Sequence, residues 1–168
     1  MPAPRDPFTN PFPSTDPDRR DIWDMLVRRD IDAYVRADWQ AVADDFIATG
    51  FTGIDARFQP DPDGFALSFP TLPAYRDRWL KKAREFRTEQ AAGAFSGDPR
   101  RAIYHATRLE RIEIDGDAAL ARKKFDGGLH RTNGGFDRMN WQTLYICRRK
   151  ANRWKIAGFV GYLPHVKD

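Results

Sequence analysis

The chain has 168 residues, 41% of them apolar and 13% aromatic, enough for one packed core and too apolar for a disordered chain. Its formal charge of +4 comes from interspersed residues of both signs, and the densest basic groups, Arg122-Lys-Lys124 and Arg148-Arg-Lys150, lack the interleaved aromatics of a stacking platform, so nucleic acid is not expected as a partner. A single cysteine, Cys147, rules out an intramolecular disulfide; residues 1–20 hold no apolar signal run and no stretch approaches the ~18 apolar residues of a membrane span, so a cytoplasmic protein without membrane contact is expected.

Residues 1–15 carry Pro2, Pro4, Pro7, Pro11 and Pro13. Proline lacks an N–H and restricts its neighbour, so a flexible or extended arm is expected here, with Phe8 and Phe12 available to pack it on the body. A single domain is expected over 16–168. Asp16-Pro17 reads as a helix start, with Asp16 as N-cap. Trp23, Leu26, Val27, Asp30, Ile31 and Tyr34 then recur at helical spacing, and Tyr34 is amphipathic enough to turn its hydroxyl toward a cavity. Asp38 caps a shorter helix through Trp39, Val42 and Phe46, which Gly50 ends.

Phe51 to Phe58 is the first strand candidate, 59–64 a turn, and Phe65 to Phe69 a short edge strand. Thr71 caps a third helix whose buried stripe is Leu72, Tyr75, Trp79, Ala83 and Phe86. A loop over 92–99 leads to a long strand from Arg101 to Ile114, a turn at Asp115-Gly116, and a return from Ala118 to Phe125. Glycine pairs at 127–128 and 134–135 bracket a loop containing His130. The last hairpin joins Met139–Cys147 to Trp154–Leu163 through a turn containing Asn152. Neither run alternates cleanly, so both faces are partly buried and the pair belongs in the middle of a sheet. Gly158 and Gly161 fit bends or close approaches there.

This order is an α+β layout: three N-terminal helices packed on a strongly curved antiparallel sheet, forming a cone with an internal pocket. Three stretches resemble the nuclear-transport-factor-2-like superfamily, and within it the SnoaL-like group with its cystatin-like cone: Trp39-Gln-Ala-Val-Ala-Asp-Asp-Phe46; His105 followed by Arg111-Ile-Glu-Ile-Asp-Gly-Asp-Ala-Ala119; and Arg153-Trp-Lys-Ile-Ala-Gly-Phe-Val. Members of that group include ketosteroid isomerase, scytalone dehydratase, polyketide cyclases and non-catalytic binders, and many form dimers through the open face of the sheet. The resemblance implies a carboxylate base in the strand after the second helix, where Asp55 stands, and a histidine before the Asp-Gly turn, where His105 stands. Leu109 occupies the position where those sequences often carry an asparagine.

The expected catalytic set is therefore Asp55 as base, His105 as partner acid or orienting group, and Tyr34 as donor to a developing oxyanion. Asp55 also has an ion-pair reading with Arg57, and His105 a reading as an ordinary satisfied histidine. Trp23, Tyr104, Asn140 and Trp141 are candidate ligand contacts, each with a packing or interface alternative. Three scattered histidines offer no metal-ligand spacing, and no phosphate loop, nucleophile elbow or Cys-x-x-Cys pattern occurs, so neither metal nor cofactor is expected. Two functions follow: a cofactor-independent isomerase, cyclase or dehydratase acting on a small apolar molecule, or a ligand-binding or assembly module of the same shape. A homodimer through the sheet is expected for either.

Overall fold

The computed structural model describes residues 4–165. Helix α1 (Pro17–Trp23), a π-helical turn (Asp24–Arg29) and α2 (Asp30–Arg36) run on as one rod, capped where Asp16 accepts from the Arg19 N–H. Asp38 caps as expected, yet the segment behind it closes only two 3₁₀ turns, Trp39–Ala41 and Ala43–Asp45, rather than a helix. Strands β1 (Thr52–Asp55) and β2 (Ala66–Phe69) are short, and α3 (Leu72–Ala91) follows its Thr71 cap.

The long strand expected from Arg101 begins later. Residues Pro99–Ala106 form helix α4, and β3 covers Thr107–Asp115. The start signal is the one that opens α1: Asp98 accepts from the Arg101 N–H, with Pro99 at the first helical position. β4 (Ala118–His130) and β5 (Phe136–Lys150) also reach further than expected, taking in the first glycine pair and His130. β6 (Arg153–Leu163) completes a six-stranded sheet in the order β2-β1-β6-β5-β4-β3, with the last hairpin at its centre.

Four of the five strand pairs are antiparallel, but β1 runs parallel to β6, so the sheet is mixed. Register shifts in the β1–β2, β3–β4 and β5–β6 pairs bend it. Two glycines permit close approaches. A Cβ at Gly158 would lie 2.5 Å from the Thr52 carbonyl oxygen of the parallel neighbour, and one at Gly127 would lie 2.9 Å from Ala106, where α4 crosses β4.

The side chains of β4 and β5 divide cleanly by parity. Ala119, Ala121, Lys123 and Phe125, opposite Cys147, Tyr145, Thr143 and Trp141, face the helices. Leu120, Arg122 and Lys124, opposite Ile146, Leu144 and Gln142, occupy the outer face. The core joins the helix rod, α3 and α4 to the inner face through Ile22, Leu26, Trp39, Phe46, Trp79, Tyr104 and Phe159.

The proline-rich stretch lies against this body. Phe8 packs at a tilt on Tyr104, with ring centroids 4.6 Å apart, Arg28 donates to the Phe8 carbonyl, and Asn10 bonds the Arg20 carbonyl and Asp24. The first three residues of the expected arm lie outside the described residues. No helix among the described residues is long and apolar enough to cross a membrane.

Candidate functional site

Between the inner face of the sheet and helices α2–α4 lies a cavity of about 520 Å³. That is within the size range of sites for small organic ligands. Its walls are aromatic. Phe69, Tyr75 and Phe159 form one side, with centroids 4.9–5.9 Å apart, and Phe125 and Trp141 another, at 4.8 Å. Tyr34 closes the helix side with Trp79 at 5.7 Å. Exposed Ser68, Arg78, Lys82 and Tyr162 mark the mouth, together with half-buried Asp55.

The polar floor is a pair that the sequence reading leaves unpaired. Lys123 projects inward from β4 with only 1% of its side chain exposed. Its ammonium donates to Asp30 Oδ2 at 2.9 Å and to the Leu26 carbonyl, where the π-helical turn meets α2. The Trp79 indole lies 3.5 Å from Asp30 Oδ1. Asp30 keeps 30% of its side chain exposed and lines the cavity. A charge is tolerated in such surroundings only beside a counter-charge, which each partner supplies to the other.

The sequence signal for Asp30 is its place in the apolar stripe between Val27 and Ile31. An acid on the buried face of a helix must find a partner, and only the fold reveals that Lys123, 93 residues away, is that partner. The signal for Lys123 is its inward parity between Ala121 and Phe125.

Of the expected catalytic residues, Tyr34 and Asp55 both line this cavity. Asp55 Oδ1 accepts from the Arg57 N–H at 2.7 Å, and no ion pair joins it to the Arg57 side chain. His105 is not with them. It lies exposed on α4, outside the cavity lining, because the segment that carries it is helical rather than extended.

Of the four expected ligand contacts, only Trp141 is in the lining. Trp23 is buried beneath the Arg28 guanidinium. The Tyr104 hydroxyl donates to Asp32 at 2.9 Å in the seam between α2 and α4. Asn140 has the outer parity of β5 and bonds Asp126 across the strand pair.

Burial holds the hydroxyls of Tyr34, Tyr75 and Tyr145 well above the usual phenol range, and nearby charge of Asp30 adds to it. Tyr162 is raised by burial and by Asp55, while Arg78 opposes the shift. All four are therefore neutral hydrogen-bond donors at ordinary pH. At the mouth the backbone is left-handed at three non-glycine residues, Arg57, Phe58 and Tyr162. Phe58 and Tyr162 are tied by an N–H···O bond of 2.9 Å and by rings 5.4 Å apart. Cys147 is fully buried on the inner face, and burial alone pushes its thiol up to about 12. Among the described residues no group of three or more His, Cys, Asp or Glu side chains is placed to hold a metal ion.

No protein-family model matches the chain, and no curated protein matches it. Solved structures do. A nuclear-transport-factor-2-like protein of unknown function from Shewanella baltica OS155 aligns over 93% of this chain and 100% of its own, at 14% identity and a TM-score of 0.53. A second such protein of unknown function, from Silicibacter pomeroyi DSS-3, aligns over 89% and 98%, at 15% identity and 0.53. The chain has the nuclear-transport-factor-2-like fold. A conserved protein from Planctomyces limnophilus DSM 3776 matches this fold over 88% of the chain and 95% of its own, at 17% identity and 0.54. At these identities the likeness concerns the nuclear-transport-factor-2-like architecture alone.

Proposed function

We propose that this protein is a SnoaL-like single-domain member of the fold that binds one small, mostly apolar organic molecule and moves a proton on it without a cofactor, as an isomerase, cyclase or dehydratase does. The observation that carries the reading is the Asp30 carboxylate, partly open at the floor of an otherwise aromatic cavity and fixed there by Lys123. A carboxylate within hydrogen-bond reach of a ligand can take a proton from one carbon or oxygen and return it to another. Tyr34, a neutral donor on the same wall, suits an oxygen on which charge develops.

Asp55 is the second carboxylate of the site. The base role goes to Asp30 because it is held by the buried Lys123 among the aromatic walls, whereas Asp55 stands with the exposed residues of the mouth. Trp141 flanks the ligand, while His105, Trp23, Tyr104 and Asn140 take no part. The protein works in the cytoplasm as a homodimer. Leu120 and Ile146, exposed and directly opposed on the outer face of the sheet, support an interface there.

One observation favours the non-catalytic reading. Lys123 ties the helix rod to β4 through two acceptors, and a pair so engaged can be a purely structural strut beneath a binding pocket.

A thermal-shift screen of steroid-, terpene- and polyketide-like compounds tests the cavity. A ligand at a hundred times its Kd stabilises by about 2.7 kcal/mol, and the absence of any stabilisation across the three sets would sink the cavity reading. Solvent-deuterium incorporation into the ligand found this way then tests the chemistry. Asp30→Asn is expected to slow exchange by about 10²-fold or more. Exchange unchanged in that variant returns the protein to the class of binding modules.

A further inference from the structure

Six described residues other than glycine have left-handed backbone. Three have ordinary grounds: Ala37 ends α2, and Ala151 and Asn152 make the two-residue turn between β5 and β6. The other three, Arg57, Phe58 and Tyr162, come together at one side of the cavity mouth. Arg57 and Phe58 are the central pair of a turn closed by the Gln59 N–H on the Ala56 carbonyl at 2.9 Å. Left-handed backbone at both central positions suits glycine or asparagine, not arginine and phenylalanine. Tyr162 lies in a bulge, where Gly161 and Tyr162 of β6 oppose Thr143 alone on β5, and both line the cavity.

Three bonds hold the turn in this unfavourable form. Ala56 donates to the Gly161 carbonyl at 2.8 Å, Phe58 to the Tyr162 carbonyl at 2.9 Å, and the Arg57 N–H to Asp55 Oδ1 at 2.7 Å. Such strain persists only where its surroundings impose it, and it gathers at clamps and switches. What the turn places is the Phe58 ring. It leans on Tyr162 at 5.4 Å and edge-on against Trp141 at 6.4 Å, two rings of the cavity wall. Phe58 itself stands outside the lining and is 57% exposed. Residues 57–63 are exposed throughout, which leaves the ring room to move. A phenyl ring kept in water beside an aromatic opening gains burial by swinging across it. Asp55 connects cavity and turn, because its carboxylate lines the one and holds the other.

From this arrangement we infer that the Arg57–Phe58 turn is an aromatic gate at the mouth, and that Asp55 is the positioning residue that latches it. The inference rests on the cavity being a ligand site and concerns how a ligand enters and leaves it. A gate sets the rate of passage in both directions and leaves the strength of binding alone.

Stopped-flow fluorescence with N-phenyl-1-naphthylamine, an apolar probe that brightens out of water, measures both rates. Phe58→Ala is expected to raise association and dissociation together by about tenfold, with Kd moved by less than about twofold. A ring that merely touches the ligand would, on removal, speed dissociation alone and weaken Kd. Asp55→Ala is expected to reproduce the change, and combining it with Phe58→Ala to add nothing further, because the latch acts through the ring. Asp55→Asn keeps an acceptor oxygen for the Arg57 N–H and should retain the wild-type exchange rates. Rates unchanged in Phe58→Ala, or any result in which the two do not rise together, would overturn the gate and leave the cavity reading standing. Additive effects of Asp55→Ala and Phe58→Ala, or Asp55→Asn behaving as Asp55→Ala does, would overturn the latch. Failure of the wild type to bind the probe more tightly than about 1 mM would overturn both gate and cavity.

Discussion

Two acids, buried Asp45 and half-buried Asp30, belong to one place on the helix rod, the junction of Arg29 and Asp30, and serve different ends. Asp45 retains 1% of its side-chain exposure and is closed off by arginines. Arg29 grips both its oxygens at 2.9 Å, and Arg153 adds a bond of 2.6 Å. Asp30, the next residue after Arg29, turns toward the opposite space. Its one ion-pair partner is Lys123, the Trp79 indole lies 3.5 Å from its other oxygen, and it stays partly open to the cavity. The first acid has spent its acceptor capacity on the protein and joins the helix rod to a 3₁₀ turn and β6. The second retains a face that a ligand can reach. Burial of a carboxylate therefore does not by itself mark a site; of these two acids, only the one left partly open beside the aromatic hollow is within reach of a ligand.

The contrast can be broken most forcefully at Asp45. Asp45→Ala should lower unfolding stability by about 3 kcal/mol, toward the low end for a broken buried pair because both arginines can still reach water. Urea denaturation would measure it, and ligand affinity per folded molecule should stay unchanged. Lys123→Met should cost less, about 2 kcal/mol, since the Asp30 carboxylate it leaves unpaired is partly open. It should weaken ligand binding, which Asp45→Ala does not, and adding Asp30→Asn should recover part of the stability. Equal effects of the two variants on binding would erase the distinction between strut and site.

Two pH effects sharpen the picture on a smaller scale. The Cys147 thiol is pushed from 9.0 to about 12 by burial, so its neutral form is favoured in the fold. Its contribution is complete below 9.0 and is lost as pH rises toward 12, because the unfolded chain releases that proton first. Urea midpoints at alkaline pH should fall more steeply for the wild type than for Cys147→Ala.

Asp18 gives the smallest effect and the opposite sign. The Trp154 indole N–H, then Arg149, hold its carboxyl below the ordinary 3.8. Its contribution is present above 3.8 and fades as pH drops through the lower folded value. Trp154→Phe should flatten this last part of the acid-unfolding curve. An unchanged acid limb would remove Asp18 from the account.

The layout of the fold was legible wherever a local rule has one outcome. The caps at Asp16 and Thr71, the apolar stripe of α3 and the mixed-face run from Met139 to Leu163 all led to the elements found. The same rule applied to Asp98-Pro99 opens α4, but Ile103, Tyr104 and the β-branched residues that follow suit either a helix face or a strand. That ambiguity moved His105 into a strand and into the expected site. Asp55 lines the cavity because the strand carrying it sits where the resemblance puts it, and Tyr34 because it ends the apolar stripe of the helix rod. Asn140 and Trp141, adjacent in sequence, were expected to share the ligand, and strand parity sends them to opposite faces of the sheet.

By itself the sequence determined which segments must hide an apolar face, and hence an α+β body with a hairpin at the centre of its sheet, because those choices depend on spacing within a few residues. The parallel seating of β1 on β6, the union of Asp30 with Lys123 and the gathering of four phenols around one hollow were decided by tertiary structure alone. Each joins residues far apart in the chain. Which inward-facing polar group meets which is set by the bend of the sheet and the seating of the helices, and no local pattern encodes that meeting.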